Sequence, residues 1–162
     1  MTSYIEKLFG LQGRVAAVTG GGGHLCGEIA KGLAGAGCRV AVMDLRIHKA
    51  DNICSQIKEG TVSDAISIEI DATDRSSVVD GLNQTLNEFG KVDILVNGAG
   101  INSPTPFLEI NIDEFENVLR SHVNSTLFGC QVFGKHMLDR GSGSIINISS
   151  ASAGPPLSKA FA

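Results

Sequence analysis

The sequence has no tryptophan, and its few phenylalanines and single tyrosine bring the aromatic share to only 5%. Small residues take their place, with 20 glycines among 162 residues, as expected where helices lie close on a sheet. No run of basic residues occurs. The 13 Lys and Arg against 17 Asp and Glu give a net charge of -4 and a pI near 5.5, which argues against nucleic acid or an anionic membrane as the main partner. No apolar run approaches the roughly 18 residues of a membrane span. No CxxC pair occurs, and Cys26, Cys38, Cys54 and Cys130 have no metal-ligand spacing, so they read as small buried apolar residues. Residues 1–10 carry Glu6 and Lys7 and lack the apolar core of a signal peptide. A cytoplasmic location is the expectation. His122 and His136 are spaced wrongly for an i, i+4 metal pair and no acid cluster matches them. No metal is expected, and both read as surface or core histidines.

The most informative stretch is Ala17-Val18-Thr19-Gly20-Gly21-Gly22-Gly23-His24-Leu25-Cys26-Gly27. An apolar strand runs into four glycines and then into a helical period, with Leu25, Ile29 and Leu33 at i, i+4 and i+8 as the expected buried stripe. Strand, glycine turn and helix form the layout in which helix N-terminal N–H groups face a pyrophosphate. Glycine also lets phosphate oxygens approach the backbone with no Cβ in the way. A second apolar run, Arg39 to Met43, ends at Asp44, about 20 residues past the glycines, where an acid holds the adenosine ribose hydroxyls. Such an acid accepts from the diol and repels a 2′-phosphate. NAD is therefore the expected cofactor and NADP the less favoured one, with Arg46 two residues on able to soften the preference.

The rest of the chain alternates the two periods. Strands are expected at 14–19, 38–43, 65–70, 92–96 and 143–149, and helices at 24–36, 46–59, 74–89 and 112–139. Val78, Val79, Leu82, Leu86 and Phe89 give the third helix its apolar stripe, and Gly90 is its stop. Asn111 and Glu114 have capping-box spacing, and Ile110 and Phe115 stand at the staple positions. Apolar strands separated by helices imply a parallel sheet covered on both faces. The reading is one α/β domain over residues 1–162, a doubly wound parallel sheet of Rossmann type in order 3-2-1-4-5. Such sheets bind ligands outside the carboxyl ends of their strands. That edge comprises Thr19–Leu25, Asp44–Arg46, Asp71–Thr73, Asn97–Ser103 and Ser149–Ser152, all polar or glycine-rich.

These residues resemble the short-chain dehydrogenases/reductases from about Leu11 onward. Thr19-Gly20 and the following glycines resemble TGxxxGxG, Asp71 resembles the acid that meets adenine, and Asn97-Gly98-Ala99-Gly100 resembles NNAG. Asn124 resembles the Asn of the catalytic tetrad, and Asn147-Ile148-Ser149-Ser150 the strand end that carries the catalytic Ser. The resemblance implies Asn124 and Ser150 as catalytic residues. It implies Gly20, Gly22, Gly23, His24, Leu25, Asp44, Leu45, Asp71, Ala72, Asn97, Ala99 and Gly100 as the cofactor contacts, and Ser150, Ser152 and Asn102 on the substrate side. Three positions depart from the pattern. His24 and Cys26 stand where the second and third turn glycines belong, and Gly98 replaces the second Asn.

The same resemblance implies hydride transfer between NAD(H) and a secondary alcohol or ketone, with a small-molecule substrate. Sugar-acid members are most similar, which points to a sugar acid or polyol of the D-mannonate or fructuronate kind. A 3-oxoacyl-carrier-protein reductase, or a nucleotide-binding module without catalysis, is the alternative. The family's Tyr and Lys, spaced YxxxK, follow the Ser by a dozen residues or slightly more, and the sequence reaches Ala162 before them. The expectation is a chain lacking the C-terminal part of the fold and inactive by itself. Phe115, Leu119, Leu127, Phe128 and Phe133 are expected to give the fourth helix surplus apolar surface for a subunit contact, in a homodimer or homotetramer when intact.

Overall fold

The computed structural model describes residues 8–150. Five strands, β1 (Val15–Thr19), β2 (Arg39–Asp44), β3 (Ala65–Glu69), β4 (Ile94–Asn97) and β5 (Ser144–Asn147), alternate with helices α1 (His24–Gly35), α2 (Ile47–Gly60) and α3 (Arg75–Phe89), then α4 (Ile112–Leu119) and α5 (Ser125–Arg140). The sheet order is β3-β2-β1-β4-β5 with every neighbour parallel, as the alternation implied. Because β1 reverses the order of connection, its C-terminal end and that of β4 frame a crevice at the switch point.

All five residues of β1 are buried, and the pleat sends them alternately to two cores. Ala16 and Val18 join Val40, Val42, Ala30, Ala34 and Ile57 beneath α1 and α2. Val15 and Ala17 join Met43, Leu95, Val78, Leu82, Phe89 and Phe133 beneath α3 and α5. Phe133 is fully buried, so its truncation to Ala costs about 3–5 kcal/mol. It therefore belongs to the core and not to the surplus apolar surface expected of it. Leu119 and Leu127 do remain 43% and 48% exposed.

The sequence reading of α1 is off by one residue. Leu25 is 59% exposed, and the stripe facing the sheet is Cys26, Ala30 and Ala34. The reason is closeness: a Cβ on Gly27 would lie 2.7 Å from Ile53 Cδ1, so only small side chains fit between α1 and its neighbours. The bulkier Ile29 and Leu33 flank that contact.

The expected helix 112–139 is interrupted. A π-helical turn, Arg120–Asn124, separates α4 from α5. Two buried hydroxyls sit there: Ser121 Oγ donates to Val118 O at 2.8 Å, and Ser125 Oγ donates to Ser121 O and to His122 O. Hydroxyls bonding back to carbonyls a turn earlier bend a helix. At its start, Asn111 caps α4 by accepting Glu114 N–H at 2.9 Å. Glu114 does not complete the reciprocal box. Its carboxylate accepts Ser103 Oγ and Thr105 Oγ1 instead, tying the loop before α4 to the helix and holding its own acidity stronger than usual.

Two boundaries also move. β4 ends at Asn97 and β5 at Asn147, although Ile148 N–H still donates to Asn97 O at 3.0 Å. Gly90 stops α3 with φ 77°, as its position suggested. At the opposite edge of the sheet, buried Asp93 accepts Val15 N–H at 2.9 Å and meets Lys91, Arg140 and Arg14. Burial opposes its ionisation, but these partners outweigh it and hold the carboxyl below its ordinary range. No helix among the described residues is long and apolar enough to cross a membrane.

Candidate nucleotide site

The glycine turn after β1 is built around Gly20, whose φ of 65° lies in the left-handed region that glycine adopts freely. A Cβ there would also meet Gly98 O at 2.8 Å. Gly21 N–H donates to Met43 O and Gly23 N–H to Gly20 O, each at 2.9 Å, so the turn is pinned to β2 and to itself. Gly23 is the N-cap of α1 and offers no side chain to its first N–H groups. Those donors face outward at the positive end of the helix, which suits an anion.

Asp44 lies at the tip of β2, buried and fixed by two backbone donors. Gly22 N–H reaches Oδ2 at 3.1 Å and Arg46 N–H reaches Oδ1 at 3.0 Å. Each oxygen keeps a lone pair for a further donor. A cleft of about 320 Å³ opens beside it, lined by Gly20, Asp44, Leu45, Arg46, Ile70, Asp71, Ala72, Thr73, Ala99, Gly100, Ile101 and Ser121. Asp71 starts an Asx turn there: its Oδ1 accepts Thr73 N–H at 2.8 Å and Thr73 Oγ1 at 2.7 Å. Its own N–H is taken by Ser77 Oγ.

Of the residues proposed from sequence for the cofactor, Gly20, Asp44, Leu45, Asp71, Ala72, Ala99 and Gly100 meet in this one cleft. Gly22, Gly23, His24 and Leu25 form the turn at its end, with the His24 and Leu25 side chains exposed. Asn97 does not line the cleft. It is buried at the end of β4, where Nδ2 donates to Asn147 Oδ1 at 2.9 Å and Oδ1 has no partner among the described residues. A Cβ on Gly129 would sit 2.1 Å from that oxygen, so α5 yields space to it.

Asn124 ends the π turn and is half-buried. Asn102 is exposed on the loop after β4, and Ser150 is exposed just past β5 on the same edge. Ser152 lies outside the described residues. The sequence reading missed Ser121 and His122, which the π turn presents to the cleft wall: Ser121 Oγ accepts Ile101 N–H at 3.2 Å and His122 Nε2 lies 2.9 Å from Ile101 O. The only available hint was that both precede Asn124 on one helix. Among the described residues, no three His, Cys, Asp or Glu side chains gather as a metal site would require.

The family model for short chain dehydrogenases matches residues 14–161. The chain belongs to the short-chain dehydrogenase family. It is 34% identical over 145 residues to D-threitol dehydrogenase of Mycolicibacterium smegmatis, covering 90% of this chain and 55% of that protein. It is 32% identical over 143 residues to gluconate 5-dehydrogenase of Gluconobacter oxydans, covering 88% and 56%. A solved Haemophilus influenza structure with bound NAD, proposed to be a D-mannonate oxidoreductase, superposes with a TM-score of 0.86 at 30% identity, covering 96% of this chain and 61% of that one. The chain thus spans between half and two thirds of the length of these relatives.

Within this member of the family, two of the three departures from the pattern answer each other. A Cβ on Gly98 would lie 2.1 Å from Cys26 Sγ. The thiol on α1 occupies the space that the second Asn of NNAG would enter, and the glycine expected at position 26 is found at 98 instead. Burial, with Asp44 adding to it, pushes the Cys26 thiol up, so it stays protonated and lies 3.9 Å from Gly98 O as a weak donor. The third departure, His24, is exposed and displaces nothing.

Proposed function

We propose that this chain is the dinucleotide-binding part of an NAD(H)-dependent oxidoreductase that interconverts a secondary alcohol and a ketone, with a polyol or sugar acid as substrate. The observation that carries the reading is Asp44, a carboxylate buried in the cleft wall and aligned by Gly22 and Arg46 N–H groups beside the glycine turn. An acid so placed accepts from two adjacent ribose hydroxyls and repels a 2′-phosphate. The exposed Arg46, 3.9 Å from Asp44, moderates that repulsion. The turn fits a pyrophosphate because it presents backbone and open helix N–H groups with no side chain between. The substrate class is supported by the threitol, gluconate and mannonate names among the relatives.

When bound, the nicotinamide supplies the hydride chemistry. The chain's own residues then position and protonate. Ser150 donates to the substrate oxygen as charge develops on it, and Asn124, carried by the π turn, holds a water on the proton path. Because the chain covers only 55–61% of the relatives' length, turnover is proposed for the whole protein, as a dimer or tetramer of closed symmetry using the exposed Leu119 and Leu127 face.

Fluorescence titration tests the cofactor half. NADH should bind at least tenfold more tightly than NADPH, about 1.4 kcal/mol, and Asp44→Ala should narrow that gap. Equal or inverted affinities overturn the reading of Asp44. Steady-state assays of the whole protein on polyols and sugar acids test the substrate half.

A further inference from the structure

The wall of the cleft opposite Asp44 is a loop, and its position is set from outside. Ala99, Gly100 and Ile101 form that wall, yet this loop is not regular secondary structure and has no ladder to hold it. Both backbone groups of Ile101 are instead held by the π turn. Its N–H donates to Ser121 Oγ at 3.2 Å, and its carbonyl lies 2.9 Å from His122 Nε2. A carbonyl oxygen can only accept, so the His122 ring carries its proton on Nε2. Ser121 Oγ–H donates to Val118 O at 2.8 Å and is buried, which leaves its lone pair for Ile101.

The ring also fills space. A Cβ built on Gly100 would lie 2.2 Å from His122 Cε1, 2.4 Å from Nδ1 and 3.0 Å from Nε2. Gly100 does not have a positive φ, so its backbone would accept any residue. What excludes a side chain there is the imidazole. One residue thus grips the loop twice, by a hydrogen bond at Ile101 and by packing at Gly100. A plain α-helical turn would aim residues 121 and 122 elsewhere, whereas the widened turn points both at the loop.

We propose that His122 is a positioning residue for the bound cofactor: it clamps the 99–101 loop and so sets the width of the cleft. This rests on the dinucleotide reading above. The ring contributes no chemistry to the reaction, so its removal should change binding more than stability.

Four variants test it: His122→Ala, His122→Gln, Gly100→Ala and the double variant His122→Ala with Gly100→Ala. The amide of Gln can still donate to the Ile101 carbonyl. In the ligand-free chain, hydrogen exchange over residues 98–103 should be at least tenfold faster in His122→Ala and within threefold of the parent in His122→Gln. NADH affinity should fall three- to tenfold in His122→Ala and in Gly100→Ala, and stay within twofold in His122→Gln. The double variant should bind better than the two losses multiplied together, because the methyl enters the space that the ring left. Thermal midpoints of the His122 variants should stay close to the parent's. Unchanged exchange in His122→Ala, a Gln variant that behaves like Ala, or strictly multiplicative losses would each overturn the clamp. If the parent chain binds no NADH, the dinucleotide reading and the cofactor role fall together, and the exchange measurement still decides whether His122 holds the loop.

Discussion

Adding one methyl group at Gly98 should be among the most damaging small changes this chain can suffer, and a second change should repair it. A Cβ there would lie 2.1 Å from Cys26 Sγ and 3.2 Å from Thr19 O. Non-bonded heavy atoms settle at about 3.5–4.0 Å, so the overlap with sulfur exceeds an ångström. Cys26 is only 5% exposed and sits in the first turn of α1, where few side-chain rotamers are open to it. Overpacking of this kind costs about 1–3 kcal/mol. Cys26→Gly alone should cost about 1–2 kcal/mol, from lost burial and from glycine inside a helix. The two together should cost less than their sum, because the new methyl occupies the vacated sulfur site. A coupling of about 1–2 kcal/mol is expected, within the range for contacting residues. In thermal unfolding of the chain this appears as a double variant some 2–8 °C more stable than additivity predicts. Additivity within about 0.5 kcal/mol would refute the claim that the two positions share one space.

Other changes have definite signs. Half-buried His136 accepts Val92 N–H through Nε2 at 3.2 Å, and partial burial, reinforced by Arg140, makes the ring harder to protonate than the ordinary value of about 6.5. The unfolded chain therefore takes up more protons below that pH, and thermal stability should fall as pH drops from 7 toward 5. His136→Gln, which keeps an acceptor for Val92, should flatten that fall, and an identical slope in the variant would count against the assignment. Glu114→Ala frees Ser103 and Thr105, so limited proteolysis should cut the 101–111 loop faster than in the parent; equal rates would mean that the carboxylate does not hold the loop. In the whole protein, Ser150→Ala should lower kcat about 10²-fold or more with little change in NADH affinity, and unchanged turnover would remove Ser150 from the proposed chemistry.

Much of the fold was legible because it rests on local signals. The alternation of apolar strands and helices gave the strand order, and glycine or acid at the strand tips marked the edge where Gly20, Asp44, Asp71 and Ala99 meet. The rest depends on distances between elements, which no local pattern carries. Leu25 looked like the buried face of α1 because it is large, but α1 lies too close to its neighbours for large residues, and Cys26, Ala30 and Ala34 take the contact. The π turn that carries Ser121 and leads into Ser125 interrupts a helix whose sequence shows no Gly or Pro there to mark it. His122 looked like an unremarkable histidine until the fold brought it beside Ile101, 21 residues earlier in the chain. The reciprocity of Cys26 and Gly98 likewise lies across 72 residues and is invisible until α1 and the end of β4 are adjacent.

The π turn at Arg120–Asn124 has a bearing on which changes in length this chain can tolerate. A π turn closes on one residue more than an α turn, so it holds an extra residue without rotating the helix on either side. Deleting one residue between Leu119 and Ser125 would therefore leave a continuous α-helix, with Gly129 still against Asn97 and Phe133 still in the core. What the deletion removes is the aim of Ser121 and His122 at Ile101. The core tolerates the loss of that residue, whereas the loop contact does not. Among relatives that keep the hold on the 99–101 loop, the count of residues from Asn111 to Gly141 should therefore stay constant, and relatives one residue shorter there should keep the core and lack the hold.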